Sequence, residues 1–229
     1  MRISYHWIVK QARAEVAGPA PIATSSNGRQ ELDLPHWELE EAMAESLSAL
    51  ARGALKDLEG VFAAMREDAL DGLIEEIVKA KRIVVFGLGR EGLQMRGFAM
   101  RLFHMGRDVA VWGDMTTPAL GAGDLFIASA GPGDLPTART LVDIAHEAGA
   151  RTALITAQPR GELAEHVDVV TVIPAQTMAD DRGGKLSVLP LGSLFETAQM
   201  IAFELVILKL RPRFGETSET MRARHTNLE

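Results

Sequence analysis

The 229-residue chain carries 24 lysines and arginines against 31 aspartates and glutamates. Its net charge of −7 and pI of about 5.4 exclude the basic footprint that DNA, RNA or an anionic membrane requires. It is 47% hydrophobic but 5% aromatic, enough to fill one α/β core and poor in rings for stacking on bases, and the absence of cysteine excludes disulfides, thiol catalysis and thiolate metal sites.

Residues 1–35 read as an appendage. Ile3–Val16 has the spacing of a short amphipathic helix, and Gly18–Gln30 (GPAPIATSSNGRQ) is linker-like. The segment is expected to pack on the body, to dock on a neighbouring subunit or to serve as a lid. It has neither a secretory leader pattern nor, like the rest of the chain, an apolar run of membrane-spanning length, so a cytoplasmic location is expected. Residues 36–229 are expected to form one domain. Apolar residues at three- and four-residue spacing predict helices over 36–81, with Gly53 as the break between them. Leu70, Leu73, Ile74 and Ile77 form a core stripe, and Glu75, Glu76, Lys79 and Lys81 a solvated face.

From residue 82 short β-branched runs alternate with helical periods. Strands are predicted at Arg82–Phe86, Val109–Trp112, Leu125–Ser129, Thr152–Thr156 and Val169–Ile173, with helices at Leu93–Met105, Pro136–Ala148, Gly161–His166 and Leu194–Lys209. The pattern predicts a three-layer α/β fold, a five-stranded parallel sheet flanked by helices. Ligands of such sheets sit beyond the carboxyl ends of the strands. Those ends are Gly87–Gly92, Gly113–Pro118, Ala130–Leu135 and Ala157–Arg160.

The first of them, in VVFGLGREGLQMRGF, has Gly87, Gly89 and Gly92 at the spacing of a dinucleotide fingerprint, and Asp114 lies where a ribose-binding acid would. A dinucleotide-binding enzyme is therefore one reading. Against it, a long helical stretch precedes the strand, and five strands are too few for a double mononucleotide fold.

Other motifs fit differently. FGLGREG, FAMRLFHMG, VWGDMTTPAL, DLFIASAGPGD, LPLGSLFET and SETMRARHTNLE together resemble the sugar isomerase (SIS) domain, and within it the 6-phospho-3-hexuloisomerases, over roughly residues 40–229. The resemblance implies aldose–ketose isomerisation without metal or organic cofactor, a small sugar or sugar derivative as ligand, and a homodimer or homotetramer with sites shared between subunits. Moving a carbonyl along a sugar takes a proton from the carbon beside it and returns it through an enediol, which one carboxylate of raised pKa can do. The resemblance implies that Glu196 is this base and that His225 opens the sugar ring from a neighbouring subunit. By residue type alone, Glu196 is equally a helix N-terminal acid favoured by the dipole. Candidate binding groups are Gly87, Gly89, Arg90, Glu91, Thr116, Thr117, Ser129, Gly131, Gly133 and Arg224. Thr116 and Thr117 read equally as a turn before Pro118, and Arg224 as a surface charge. His6, His36, His104, His146 and His166 are read as structural or exposed.

The chain departs from the family where phosphate is held. The resemblance implies a serine after the first-loop arginine, where this chain has Glu91, and Ser-Gly-Ser-Gly-x-Thr after the third strand, where it reads Ala130-Gly131-Pro132-Gly133-Asp134-Leu135. Pro132 also removes a backbone donor. Arg90 and Arg139 are candidates to neutralise Glu91. The expectation is an isomerase acting on an unphosphorylated or otherwise non-standard sugar, with a non-catalytic sugar-binding or sensing module as the alternative.

Overall fold

The computed structural model describes residues 46–182 and 187–228. The appendage expected over 1–35 lies outside the described residues, as does the start of the helical region. Helix α1 (Leu47–Ala64) begins at Ser46, whose hydroxyl accepts the Ala49 amide, and α2 (Asp71–Lys79) follows. Gly53 does not break the helix. It sits inside α1, where an added Cβ would lie 3.3 Å from Val188, so its lack of a side chain admits the segment leading to the last long helix. Asp57, one turn on, fastens that segment by accepting from the Ser187 hydroxyl at 2.6 Å and the Val188 amide at 3.0 Å.

Leu70, Leu73, Ile74 and Ile77 are buried as the spacing predicts. Glu76 is not solvated. It is 8% exposed, and its two oxygens meet Arg151 at 3.0 and 3.1 Å. The partner lies 75 positions away, beyond the reach of a helical-face argument.

The chain then alternates β1 (Ile83–Phe86), α3 (Gly89–His104), β2 (Val109–Val111), β3 (Leu125–Ser129), α4 (Pro136–Glu147), β4 (Arg151–Thr156), a 3₁₀ turn (Glu162–His166) and β5 (Val169–Val172). Helices α5 (Ser193–Phe214) and α6 (Ser218–Ala223) complete it. All strands are parallel, in the order β2-β1-β3-β4-β5. Alternate residues serve opposite faces. Ile83, Val85, Leu125, Ile127, Ala153 and Ile155 join the core made with α1, α2, α3 and α5. Val84, Phe86, Phe126, Ala128 and Leu154 join the smaller core under α4. Strands β1 and β3 are buried throughout, whereas β2, at the edge, is half-buried.

Helix α5 extends past the predicted Lys209 to Phe214. Pro212 falls in its last turn, and Gly215 closes it in the left-handed conformation at φ 66°. The stacked rings of Phe98 and Phe203, 4.2 Å apart, hold α5 on α3. In this strand order β1 sits between β2 and β3, so the chain leaves it toward one side and later returns on the other. The crevice this opens at the carboxyl ends of β1 and β3 is where such sheets take ligands. No helix among the described residues is long and apolar enough to cross a membrane.

Candidate active site

Two loops wall the crevice. The first runs from β1 through Gly87 and Leu88 into α3. A Cβ on Gly92 would stand 2.5 Å from the Gly87 carbonyl oxygen, so the tight return of this loop accounts for both glycines without any dinucleotide. Gly89 opens α3 at φ 55°. Asp114, the ribose-binding candidate of the dinucleotide reading, pairs with Arg96 at 3.2 Å. Trp112, just past β2, sets its indole edge-on to Phe86 at 5.2 Å.

The second wall is the Ala130–Leu135 loop. A Cβ on Gly131 would lie 2.6 Å from the Phe195 ring and 2.9 Å from a Glu91 carboxylate oxygen, so only glycine lets the loop pass between them. Gly133 turns the chain back at φ 105°.

Glu91 lies between the walls. Its Oε2 accepts the Ser129 hydroxyl at 2.5 Å and the Gly131 amide at 2.9 Å. Burial pushes its pKa up, against the pull of those two hydrogen bonds, and the nearby charge of Glu196 pushes the same way. The two candidate neutralisers act elsewhere. Arg139 forms ion pairs with Asp134 at 3.7 Å and Glu162 at 3.0 Å. Arg90 turns to Glu196, its Nε 2.9 Å from Oε2, while its other nitrogens donate to the Ser193 hydroxyl at 2.9 Å and to the Leu191 carbonyl. Leu191 is the one non-glycine residue with positive φ among those described, at 53°, and Gly192 follows at 77°. Leu191 is strained there and Gly192 is not, and together they turn the chain into α5 where Arg90 grips it.

Glu196 stands in the first turn of α5 with its side chain 14% exposed. Burial lifts its pKa, and the Arg90 guanidinium partly counters the lift. The sequence-chosen Glu196, Arg90, Glu91, Ser129, Gly87, Gly89, Gly131 and Gly133 therefore belong to the two walls and the helix start facing them. Arg90 and Ser129 have protein partners: Arg90 holds Glu196 and the turn before α5, and Ser129 holds Glu91.

Other candidates lie apart. Thr117 donates its hydroxyl to the Val111 and Asp114 carbonyls at 2.8 and 2.7 Å, closing a turn. Thr116 borders an open groove of about 610 Å³ along β2, with Arg96 and Asp114. His225 stacks on His104 with ring centroids 5.2 Å apart, and Arg224 donates to the His104 carbonyl at 2.8 Å and to Glu216 at 2.7 and 2.9 Å. His104 ends α3, whereas Gly89 begins it. Fifteen residues at 1.5 Å each separate the two ends by about 22 Å. One chain therefore does not bring His225 or Arg224 to Glu196, and Arg224 anchors the tail by those bonds.

Sequence reasoning missed Gln199, which is fully buried on α5 and donates to the Ser129 hydroxyl at 2.7 Å. The available signal was an amide on the core face of an apolar helix, three residues past Glu196.

No protein-family model matches the chain. A 3-hexulose-6-phosphate isomerase of Bacillus subtilis is 33% identical over 178 residues, 76% of this chain and 95% of the relative. One from Mycobacterium gastri is 40% identical over 157 residues, 69% and 78% of the two chains. The crystal structure of a Methanococcus jannaschii protein, from which a molecular function of 3-hexulose-6-phosphate isomerase was inferred, superposes with a TM-score of 0.66 at 30% identity, covering 80% of this chain and 98% of that one.

Proposed function

Because the chain belongs to the 3-hexulose-6-phosphate isomerase family of sugar isomerase domains, and is an isomerase, we propose that it moves a sugar's carbonyl to the neighbouring carbon through an enediol, on a sugar that offers hydroxyls rather than a phosphate to the glycine-loop crevice. Glu196 is the base. Burial lifts its pKa above the ordinary glutamate value, and Arg90 holds one oxygen of the carboxylate. Glu196 takes the proton from the carbon next to the carbonyl, and the same carboxyl returns it to the former carbonyl carbon, while the hydroxyl proton passes from one oxygen of the enediol to the other. His225, supplied by a second copy, opens the cyclic sugar. The exposed Leu93, Met100 and Phe103 on α3 and Met200, Leu205 and Leu208 on α5 offer the apolar surface for such a copy.

The observation that carries the choice of sugar is the Glu91 carboxylate seated on Ser129 and Gly131. A phosphate entering there would lose donors worth about 1.5–3 kcal/mol each. It would also meet a like charge costing on the order of 4 kcal/mol per charge pair at 4 Å and an effective dielectric near 20. Sugar hydroxyls, by contrast, can donate to the carboxylate.

The test is proton NMR in D₂O of the purified chain with unphosphorylated hexuloses and aldoses, and separately with 3-hexulose 6-phosphate. The expected result is isomerisation with solvent deuterium entering at carbon for an unphosphorylated sugar, reduced roughly 10²–10⁴-fold in Glu196→Gln. Efficient turnover of the phosphosugar with the free sugars inert would overturn the choice of sugar. Saturable sugar binding with no deuterium uptake in either protein would favour the non-catalytic module.

A further inference from the structure

A carboxamide in the middle of an apolar helix needs partners to offset its burial. Gln199 has no exposed surface, and the neighbours on its own helix include Phe195, Ala198, Ala202 and Phe203, all buried. Its Nε2 makes one short hydrogen bond, to Ser129 Oγ at 2.7 Å, and otherwise lies 3.8 Å from Met95 Sδ. Its Oε1 is buried without a hydrogen-bond partner among the described residues. Ser129 is equally buried. A serine hydroxyl has a single proton to give. Because the oxygen of Ser129 accepts from Gln199, its proton is directed to Glu91 Oε2, 2.5 Å away. The opposite orientation of the amide would draw that proton back to Oε1 and leave the carboxylate with the Gly131 amide alone. The three side chains thus form a directed chain from the interior of α5 to the mouth of the crevice.

We propose that Gln199 and Ser129 are positioning residues that latch Glu91 into the crevice, and that this latch sets the specificity of the site by filling with the chain's own carboxylate the place an incoming oxyanion would take. The proposal rests on reading the crevice as the pocket for the sugar's head group and adds what enforces it. Glu91 reaches the cradle on a flexible side chain from the first turn of α3. Released, it can swing toward solvent and return the Ser129 hydroxyl and the Gly131 amide, beside a helix N-terminus, to an outside anion.

The probe is inorganic phosphate, with binding to the full-length chain read by calorimetry and phosphorus NMR. Wild type is expected to show no saturable binding, and Glu91→Ser to gain it. Gln199→Met keeps length and burial, leaves residue 91 a glutamate and removes the donor that turns the Ser129 proton toward it; it is expected to gain saturable phosphate binding that wild type lacks. Gln199→Asn, which withdraws the amide by one methylene, reads the same effect should the methionine variant fail to fold. A purely structural Gln199 would lower the melting temperature and leave phosphate affinity at the wild-type level, and that result overturns the latch. So does wild-type protein that binds phosphate as well as Glu91→Ser. None of these readouts depends on turnover, so failure of the sugar assignment and failure of the latch are separate results.

Discussion

Two forces act on the Glu196 carboxyl in opposite directions. Burial lifts its pKa, and the Arg90 guanidinium 2.9 Å away lowers it, with burial the larger. A base works only when ionised, so kcat/KM should fall as the pH drops through this raised pKa, on a limb lying above the ordinary glutamate value of 4.5. Arg90→Met removes the lowering contribution and should move that limb to higher pH, while Arg90→Lys, which keeps a charge but loses the planar grip, should fall between the two. A kcat/KM profile for the three proteins checks this. The sequence singled out Glu196 through the family resemblance, its helix-start position alone fitting a dipole-favoured acid equally well, and Glu91 through its conflict with the phosphate loop that the resemblance implies. Their partners were not legible. Arg90 reaches Ser193 across 103 positions, and Gln199 reaches Ser129 across 70. Periodicity registers which face a residue occupies and carries no information about which distant group that face meets.

The elements themselves were readable because each obeys a local rule. The five strands are β-branched runs bounded by glycine, proline and charge, and each falls within a residue of its predicted span. Gly53 misled because glycine has two uses. It read as a break, whereas α1 tolerates it so that Val188 can approach. Gly131 has the same second use at the site. Its φ is not in the left-handed region, so the cost of adding a methyl group is steric and comes from Phe195, a ring with 1% of its surface exposed that cannot move aside. Gly131→Ala should destabilise the chain by about 1–3 kcal/mol. For a domain of this size that is a fall of roughly 2–4 °C in melting temperature per kcal/mol. Gly97→Ala is the control for calorimetry, because a Cβ there meets nothing within 4 Å.

Across the whole molecule, the chain's two leading chemical candidates stand at opposite ends of α3. The composition and motifs could name Glu196 and His225, but no sequence rule measures the helix between them. If the site is completed by a neighbouring copy, Glu196→Gln and His225→Ala should each be inactive alone, and co-expressed subunits should regain activity. In a symmetric dimer each hybrid pairs one doubly damaged site with one intact site, so random mixing restores about a quarter of the wild-type sites. No recovery in mixed oligomers would exclude sharing. The sheet has a consequence of its own. Both walls of the crevice grow from β1 and β3, interior strands buried along their full length, whereas Thr116 and Thr117 follow the half-buried edge strand β2. Backbone amides of the interior pair exchange with heavy water only when the entire domain opens, while those of the edge can be released by local fraying. If the crevice takes the sugar's head group as proposed, its mould is cast in the slowest-breathing part of the protein and would discriminate among sugars by a form set before they arrive.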